Sequence, residues 1–475
     1  MRAIFGELIQ DQPAHMNEGL LIADGCFAIK NGYNPLNGFS PAPNGTLAGP
    51  ALGSGAYRVG LSTYVFAATA GNIYRYQSGG FTSLIGSLSS SQSIGVRFQP
   101  YNNLMLATNG TDPIKVFDPA SPTTMTSLGG TPPTARFMAI VRGFVVLGYA
   151  AGDSLRLAWC DNGAPTTWTA GTGEAGFYEM PSGGDITGVI GGEYGLIFQE
   201  SRILRMTYTA DDTIWQFDEI ANDIGCVAPN SIAVYGKSVF FLSNRGLMVC
   251  DGTSVRPVGA EKVDRTFLAQ ANRSNYSAMS AVVDPRNSLY IVALPSANPP
   301  ASVYIYNFLL ERWTTATVTV QLLFNSMAQS VTLEDLDALY GTLEGVPVSL
   351  DDPAFRGGTP LLMLFDGSNR LGSLSGSTLR ATFLDAVREP FTDQRARVKS
   401  VRLLSDAPSA TVTLRGANVL SETQTPTSYT VRDRQGRYRM RENWTFVQTN
   451  VEIPSGTSWN YMQGIDMDAQ QGGRA

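Results

Sequence analysis

A strand-hairpin unit recurs every ~40–60 residues between about Tyr57 and Ser377, a period found in architectures whose copies bury their apolar faces only against one another. Its clearest mark is an aromatic residue closing one strand and a second aromatic opening the next, with six residues between. The pattern appears at Tyr74 to Phe81 (YRYQSGGF), Tyr208 to Trp215 (YTADDTIW) and Tyr306 to Trp313 (YNFLLERW). A short antiparallel turn brings two such rings to one face of the sheet, where they pack on the neighbouring unit. Looser copies surround Phe117, Trp159 and Met248, and a last one, LLMLFDGSNRLGSLSG, surrounds Phe365. The expected fold is therefore all-β, a β-propeller of six or seven blades with an additional β-rich platform domain. Regular strand spacing alone leaves a β-sandwich of similar hairpins as the alternative.

At 475 residues the chain exceeds one typical domain, which is why a platform is expected beside the propeller. Charge divides it near residue 379: residues 379–475 hold 13 Arg and Lys against 10 Asp and Glu, a net +3, which leaves −9 for the rest of a chain totalling −6. The expected organisation is 1–50 as the amino-terminal part of the platform, 51–378 as the propeller with loop insertions, and 379–475 as the carboxy-terminal part of the platform. Helical signals are confined to 263–279 and to 332–341, where Thr332 and Asp335 have capping-box spacing.

Catalytic and metal-binding patterns are scarce, and their scarcity narrows the function. The one histidine, His15, stands in a polar amino-terminal segment, so a nucleophile-histidine mechanism would rest on it alone and a multi-histidine metal site is excluded. The glycines of GTGEAG (Gly171, Gly173, Gly176) match a phosphate-binding spacing but lead into FYEMPSGG, which cannot start a helix; a loop is expected. Acidic pairs occur at Asp211/Asp212, Asp351/Asp352 and Asp466/Asp468. In loops such pairs usually form turns, and Asp466-x-Asp468 lacks the glycine and terminal glutamate of a calcium loop. No catalytic residue, cofactor or metal ligand is assigned. The dispersed Cys26, Cys160, Cys226 and Cys250 read as core residues of a protein kept in a reducing compartment. No signal-peptide core and no membrane-spanning apolar run is present, so the expected place of synthesis and assembly is the cytoplasm, without membrane insertion.

The densest basic stretch, RDRQGRYRMR from Arg432 to Arg441, alternates charge with Tyr438 and Met440. Arginine neutralises phosphate and tyrosine stacks on bases, which suits nucleic acid. The strand period of the alternation favours a solvated or subunit-facing strand instead.

Five segments carry a resemblance to a known family. ADGCFAIKNGYNPLNGFSP (23–41), GCVAPNSIAVYGKSVFFLSNRGLMVCDGTSVRPVG (225–259), VVDPRNSLYIVALPSANPPASVYIYNFLLERWTT (282–315), the run from LDAL to LLMLFD (336–366) and GRYRMRENWTFVQTNVEIPSGTSWNYMQGIDMDAQQGGR (436–474) are similar to segments of virion proteins of tailed bacteriophages. The chain resembles in particular the tail nozzle, or packaged-DNA stabilisation, proteins of short-tailed phages. The resemblance implies a structural virion protein, made in the host cytoplasm and built into the tail as a homo-oligomeric ring, expected to be a hexamer, below the portal and adaptor. Such a ring extends the DNA channel, retains the packaged genome and conducts it on ejection. Its implied partners are the adaptor and portal proteins, tail fibre or spike proteins, and genomic DNA in passing, non-specific contact. Any nozzle tip would come from the loops at 161–185 or 319–360. Two other classes stay open: a propeller-type glycan-binding receptor protein using loop aromatics such as Trp159 and Trp168, and a glycosidase using Asp351 and Asp352.

Overall fold

The computed structural model describes residues 1–475 except 61, 78–79, 212, 295–300, 328–359 and 475. Seven four-stranded antiparallel units are found among the described residues. Blade 1 comprises Gly53–Val59, Ser62–Ala68, Ile73–Gln77 and Gly80–Ile85; blade 2 comprises Arg97–Tyr101, Leu104–Thr108, Lys115–Phe117 and Met125–Ser127. Blade 3 comprises Ala135–Val141, Phe144–Ala150, Arg156–Trp159 and Gly176–Glu179; blade 4, Ile186–Ile190, Gly195–Gln199, Arg202–Tyr208 and Trp215–Asn222. Blade 5 is Ala233–Tyr235, Ser238–Ser243, Gly246–Cys250 and Val255–Pro257, and blade 6 is Ser280–Asp284, Leu289–Leu294, Ala301–Asn307 and Arg312–Val318. Blade 7 takes Leu322–Met327, Pro360–Phe365 and Arg370–Ser373 from one stretch of chain and its fourth strand, Ser40–Thr46, from far upstream. The first strand of blade 7 lies against the first strands of blades 6 and 1, so the ring closes. The fold is a seven-bladed β-propeller, the upper of the two expected counts.

Each seam between blades is filled by apolar side chains, as expected of sheets that have no core of their own. Phe66, Met105 and Phe117 fill the seam of blades 1 and 2, and Val65, Phe324 and Phe365 that of blades 7 and 1. The aromatic pairs read from the sequence lie in these seams. Tyr208 and Trp215 are directly opposed, and Trp215 packs on Phe144 of blade 3 with ring centroids 4.9 Å apart. Tyr306 and Trp313 are opposed in the same way, with Tyr306 6.2 Å from Phe240 of blade 5. In blade 1 the hairpin closes more tightly, with Gln77 opposite Gly80, so Tyr76 rather than Tyr74 is the partner of Phe81, and Phe81 reaches Phe365 of blade 7 at 6.1 Å. In all three blades the pair leans on the preceding blade.

The two chain ends form a β-sandwich beside the ring. One sheet holds Cys26–Ile29, Gly32–Pro35, Met462–Arg474, Gln394–Ser405 and Arg437–Trp444 in that order, with Arg2–Ile4 also on Met462–Arg474. The other holds Leu20–Asp24, Ala381–Asp385, Phe446–Ile453, Thr411–Ala417 and Thr425–Tyr429. This second sheet continues blade 6 without a break, because Asp24 pairs in parallel with Thr315. Phe383, Val401, Val412, Tyr438, Val451 and Trp459 fill the space between the sheets, in one cluster with apolar residues of blades 5 and 6. The expected amino-terminal platform segment, 1–50, thus divides: Ser40–Thr46 belongs to the seventh blade. Its two prolines, Pro41 and Pro43, suit an outermost strand, where no further ladder bond is required of them.

The helical signal at 263–279 becomes an α-helix, Asp264–Gln270, and a 3₁₀ segment, Arg273–Ala278. The signal at 332–341 lies outside the described residues. All four cysteines are buried and unpaired, which agrees with their reading as core residues.

Candidate functional site

Among the described residues the candidate catalytic side chains form no shared site. His15 is exposed on the amino-terminal segment, and no group of three or more His, Cys, Asp or Glu side chains is placed to hold a metal among the described residues. Asp211 is a turn former: its carboxylate accepts from Thr209 Oγ1 at 2.8 Å and from the Thr213 N–H at 2.9 Å. Those bonds hold its pKa below the usual carboxylate value. Asp212, Asp351 and Asp352 lie outside the described residues. No described helix is long and apolar enough to cross a membrane.

The glycine-rich stretch is a loop that leads into a strand, since Gly176 opens the fourth strand of blade 3. The Asp161 carboxylate accepts the Glu174 N–H at 2.9 Å, and a Cβ on Gly173, whose φ is +57°, would stand 2.5 Å from that carboxylate. A negative side chain already takes the backbone donor that a phosphate would need, so the glycine serves the turn. Trp159 and Trp168 are also structural. Trp159 is buried, donates to the Glu174 carbonyl at 2.8 Å and lies 6.4 Å from Trp215, while the half-buried Trp168 donates to the Pro165 carbonyl at 2.7 Å. The buried Trp159 offers no face to a sugar, and Trp168 packs in part against the cluster between blades 2 and 3.

The outer face of the terminal sandwich carries a row of charged side chains. The register of the Met462–Arg474 sheet sets Arg2, Asp466, Arg402 and Arg437 in one row across four strands. Asp468 lies in the next row, with an oxygen 3.9 Å from Arg437. Residues 437–444 alternate as expected: Tyr438 and Met440 are buried while Arg439 and Arg441 are exposed. Arg439 is tied to Asp433 at 2.7 Å, a contact that, after the Arg437 N–H, helps hold the Asp433 carboxyl below its usual pKa. Arg432 leaves the strand and donates to the Ala407 carbonyl at 3.0 Å. The basic stretch is therefore one edge strand plus a turn, with part of its charge already neutralised.

Among the described residues both sheets of the sandwich end in strands with a largely unpaired outer side, Thr425–Tyr429 and Arg437–Trp444, the latter bridged only by Arg432 at Tyr438. Exposed apolar side chains stand in the loops around Thr425–Tyr429 (Val419, Leu420 and Val431, the last 81 % exposed), before Met462–Arg474 (Tyr461) and at the amino terminus (Met1 and Ile4). Free edges with apolar neighbours are the features that other chains pair with. Sequence reasoning found the alternation at 437–441. It did not find the row Arg2–Asp466–Arg402–Arg437, whose members come from both chain ends and meet only through long-range register.

No protein-family model and no curated protein matches the chain. Solved structures similar to it include the WD40 domain of Pan2 from Neurospora crassa, at 10 % identity and a TM-score of 0.40 over 69 % of this chain and 90 % of that one. BBS1N, solved in complex with ARL6DN, gives 11 % identity and a TM-score of 0.42 over 71 % and 95 %. PorZ, a surface component of the type-IX secretion system of Porphyromonas gingivalis, gives 11 % and 0.36 over 82 % and 46 %. With TM-scores below 0.5, none of these bears on what the chain does.

Proposed function

We propose that the chain is a structural virion protein of a tailed bacteriophage, a tail nozzle subunit that assembles as a ring below the portal and adaptor. The observation that carries the reading is the terminal sandwich: both chain ends are gathered into one body, joined to blade 6 by the parallel Asp24–Thr315 bridge, with largely unpaired sheet edges and exposed apolar residues near them. A ring of identical chains uses two different faces on each subunit, and the edges Arg437–Trp444 and Thr425–Tyr429, neighbours joined by the Tyr429 hydroxyl donating to Glu442 at 2.6 Å, form one such face. The segments that resemble nozzle proteins include the sandwich strands 23–41 and 436–474. A net charge of −6 suits a conduit along which DNA slides, because tight phosphate binding would stall it. The propeller then braces the outside of the ring, and DNA passes through the assembly's lumen rather than the propeller's own channel. Co-sedimentation with the portal–adaptor complex tests this: the account expects a stoichiometric bound species, and a chain that stays free at micromolar concentration contradicts it.

A glycan-binding tail protein is the second reading, and one observation favours it. Tyr178 of blade 3 and Phe217 of blade 4 stack at 4.8 Å on the outside of the propeller, beside the exposed Phe177. Phe217 is half-buried, and the exposed ring of Tyr178 is the kind of surface a sugar face packs on. Glycan-array binding that is lost in Tyr178→Ala would favour this reading over the nozzle.

A further inference from the structure

The first residues of the inner strands converge at one end of the propeller's central channel, and two cavities of about 210 and 180 Å³ open there. Arg97, the first residue of blade 2, and Asn230 line both. Asn230 holds the guanidinium in place: it accepts a hydrogen bond from Arg97 Nη2 and donates from its own amide to the Ser277 carbonyl at 2.6 Å. The guanidinium also lies over the Phe137 ring, 5.6 Å from its centroid.

What Arg97 lacks is a counter-charge. Arg97 Nε is buried with no hydrogen-bond partner, and no carboxylate among the described residues forms an ion pair with this side chain. A second guanidinium, Arg136, lines the larger cavity, tethered to the Ser93 carbonyl at 3.3 Å and lying over the Tyr149 ring. Burial, with Arg136 adding to it, pushes the Arg97 pKa down to about 10, so the charge persists at neutral pH. A largely buried cation with an unused donor and no counter-charge lowers stability, and a bound anion removes that cost. The carboxylates lining the same cavity, Asp185 and Glu200, are exposed at its rim, where solvent screens them.

We propose that this mouth of the propeller channel binds a small oxyanion, a carboxylate or inorganic phosphate, on Arg97 with Arg136 as the second cation. The cavity volumes admit a few heavy atoms and no polymer, which separates this site from any contact with nucleic acid. The site uses the propeller and not the sandwich, so it stands independently of the assembly reading.

Titration of the full-length protein with sodium phosphate or sodium succinate, each against sodium chloride at matched ionic strength, tests the site by thermal shift and calorimetry. A saturable stabilisation by at least one of the two anions is expected, weakened at least about tenfold in Arg97→Met. Without added anion, Arg97→Met should be as stable as the parent or more so, because an apolar isostere replaces an uncompensated charge. No saturable effect in the parent, or the same effect in Arg97→Met, overturns the proposal. Should Arg97→Met fail to fold, Arg136→Gln decides instead: weaker anion binding supports the site, and unchanged binding overturns it.

Discussion

Asp11 caps a helix that begins more than 250 residues downstream: its carboxylate accepts the backbone N–H of Arg265 at 2.8 Å and of Thr266 at 2.9 Å. The helix's own N-cap residue, Val263, has no side chain able to do this. The contact fastens the amino-terminal segment to the propeller. Asp11→Ala should cost about 0.5–2 kcal/mol, and Asp11→Asn less, in urea denaturation.

Asp264, the first residue of that helix, gives the fold a pH dependence. Its buried carboxyl accepts the Leu247 N–H at 3.0 Å. Burial raises its pKa from 3.8 to about 6; the hydrogen bond opposes the rise and the nearby Asp11 charge adds to it. A folded-state pKa above the unfolded one means that the native chain holds the proton more tightly. This contribution to stability is present below about pH 4 and is lost as pH rises through about 6, a difference on the order of 1–3 kcal/mol. Asp264→Asn, which keeps an acceptor for Leu247, should flatten that decline when unfolding free energies at pH 4.5 and 7.5 are compared.

The seam between blades 3 and 4 rests on Phe144 and Trp215, whose rings meet edge to face at 69°. Trp215→Ala should destabilise by about 3–5 kcal/mol. A double-mutant cycle with Phe144→Leu should return a coupling of about 0.5–1.5 kcal/mol, because the pair's geometry contributes beyond buried area.

Closure of the ring depends on Gly372, which pairs with Pro41 of the closing strand. A Cβ there would stand 2.2 Å from the Ser40 carbonyl oxygen, a backbone atom that cannot swing aside. Gly372→Val should therefore loosen Ser40–Thr46, destabilise the protein by about 1–3 kcal/mol and open that segment to limited proteolysis.

Much of the propeller was legible because its signals are local. The spacing of Tyr208 and Trp215, or of Tyr306 and Trp313, lies within one hairpin and states its own geometry. The closing strand Ser40–Thr46 was not legible, since its prolines argue for a loop until a partner more than 300 residues away is known. The join of Leu20–Asp24 to blade 6 is a single parallel bridge between distant segments and leaves no periodic trace. The candidate surfaces follow the same rule. The alternation around Tyr438 could be read directly, whereas the row from Arg2 to Arg437 and the lone cation at Arg97 exist only once register and ring closure have placed them.

Cryo-electron microscopy of the portal–adaptor complex mixed with this chain tests the central claim most directly. The account predicts a closed ring of copies joined through their terminal sandwiches, with the propellers outside and a DNA-wide lumen inside. Particles in which the portal–adaptor complex carries no added ring, or in which this chain attaches singly through its propeller, would contradict it.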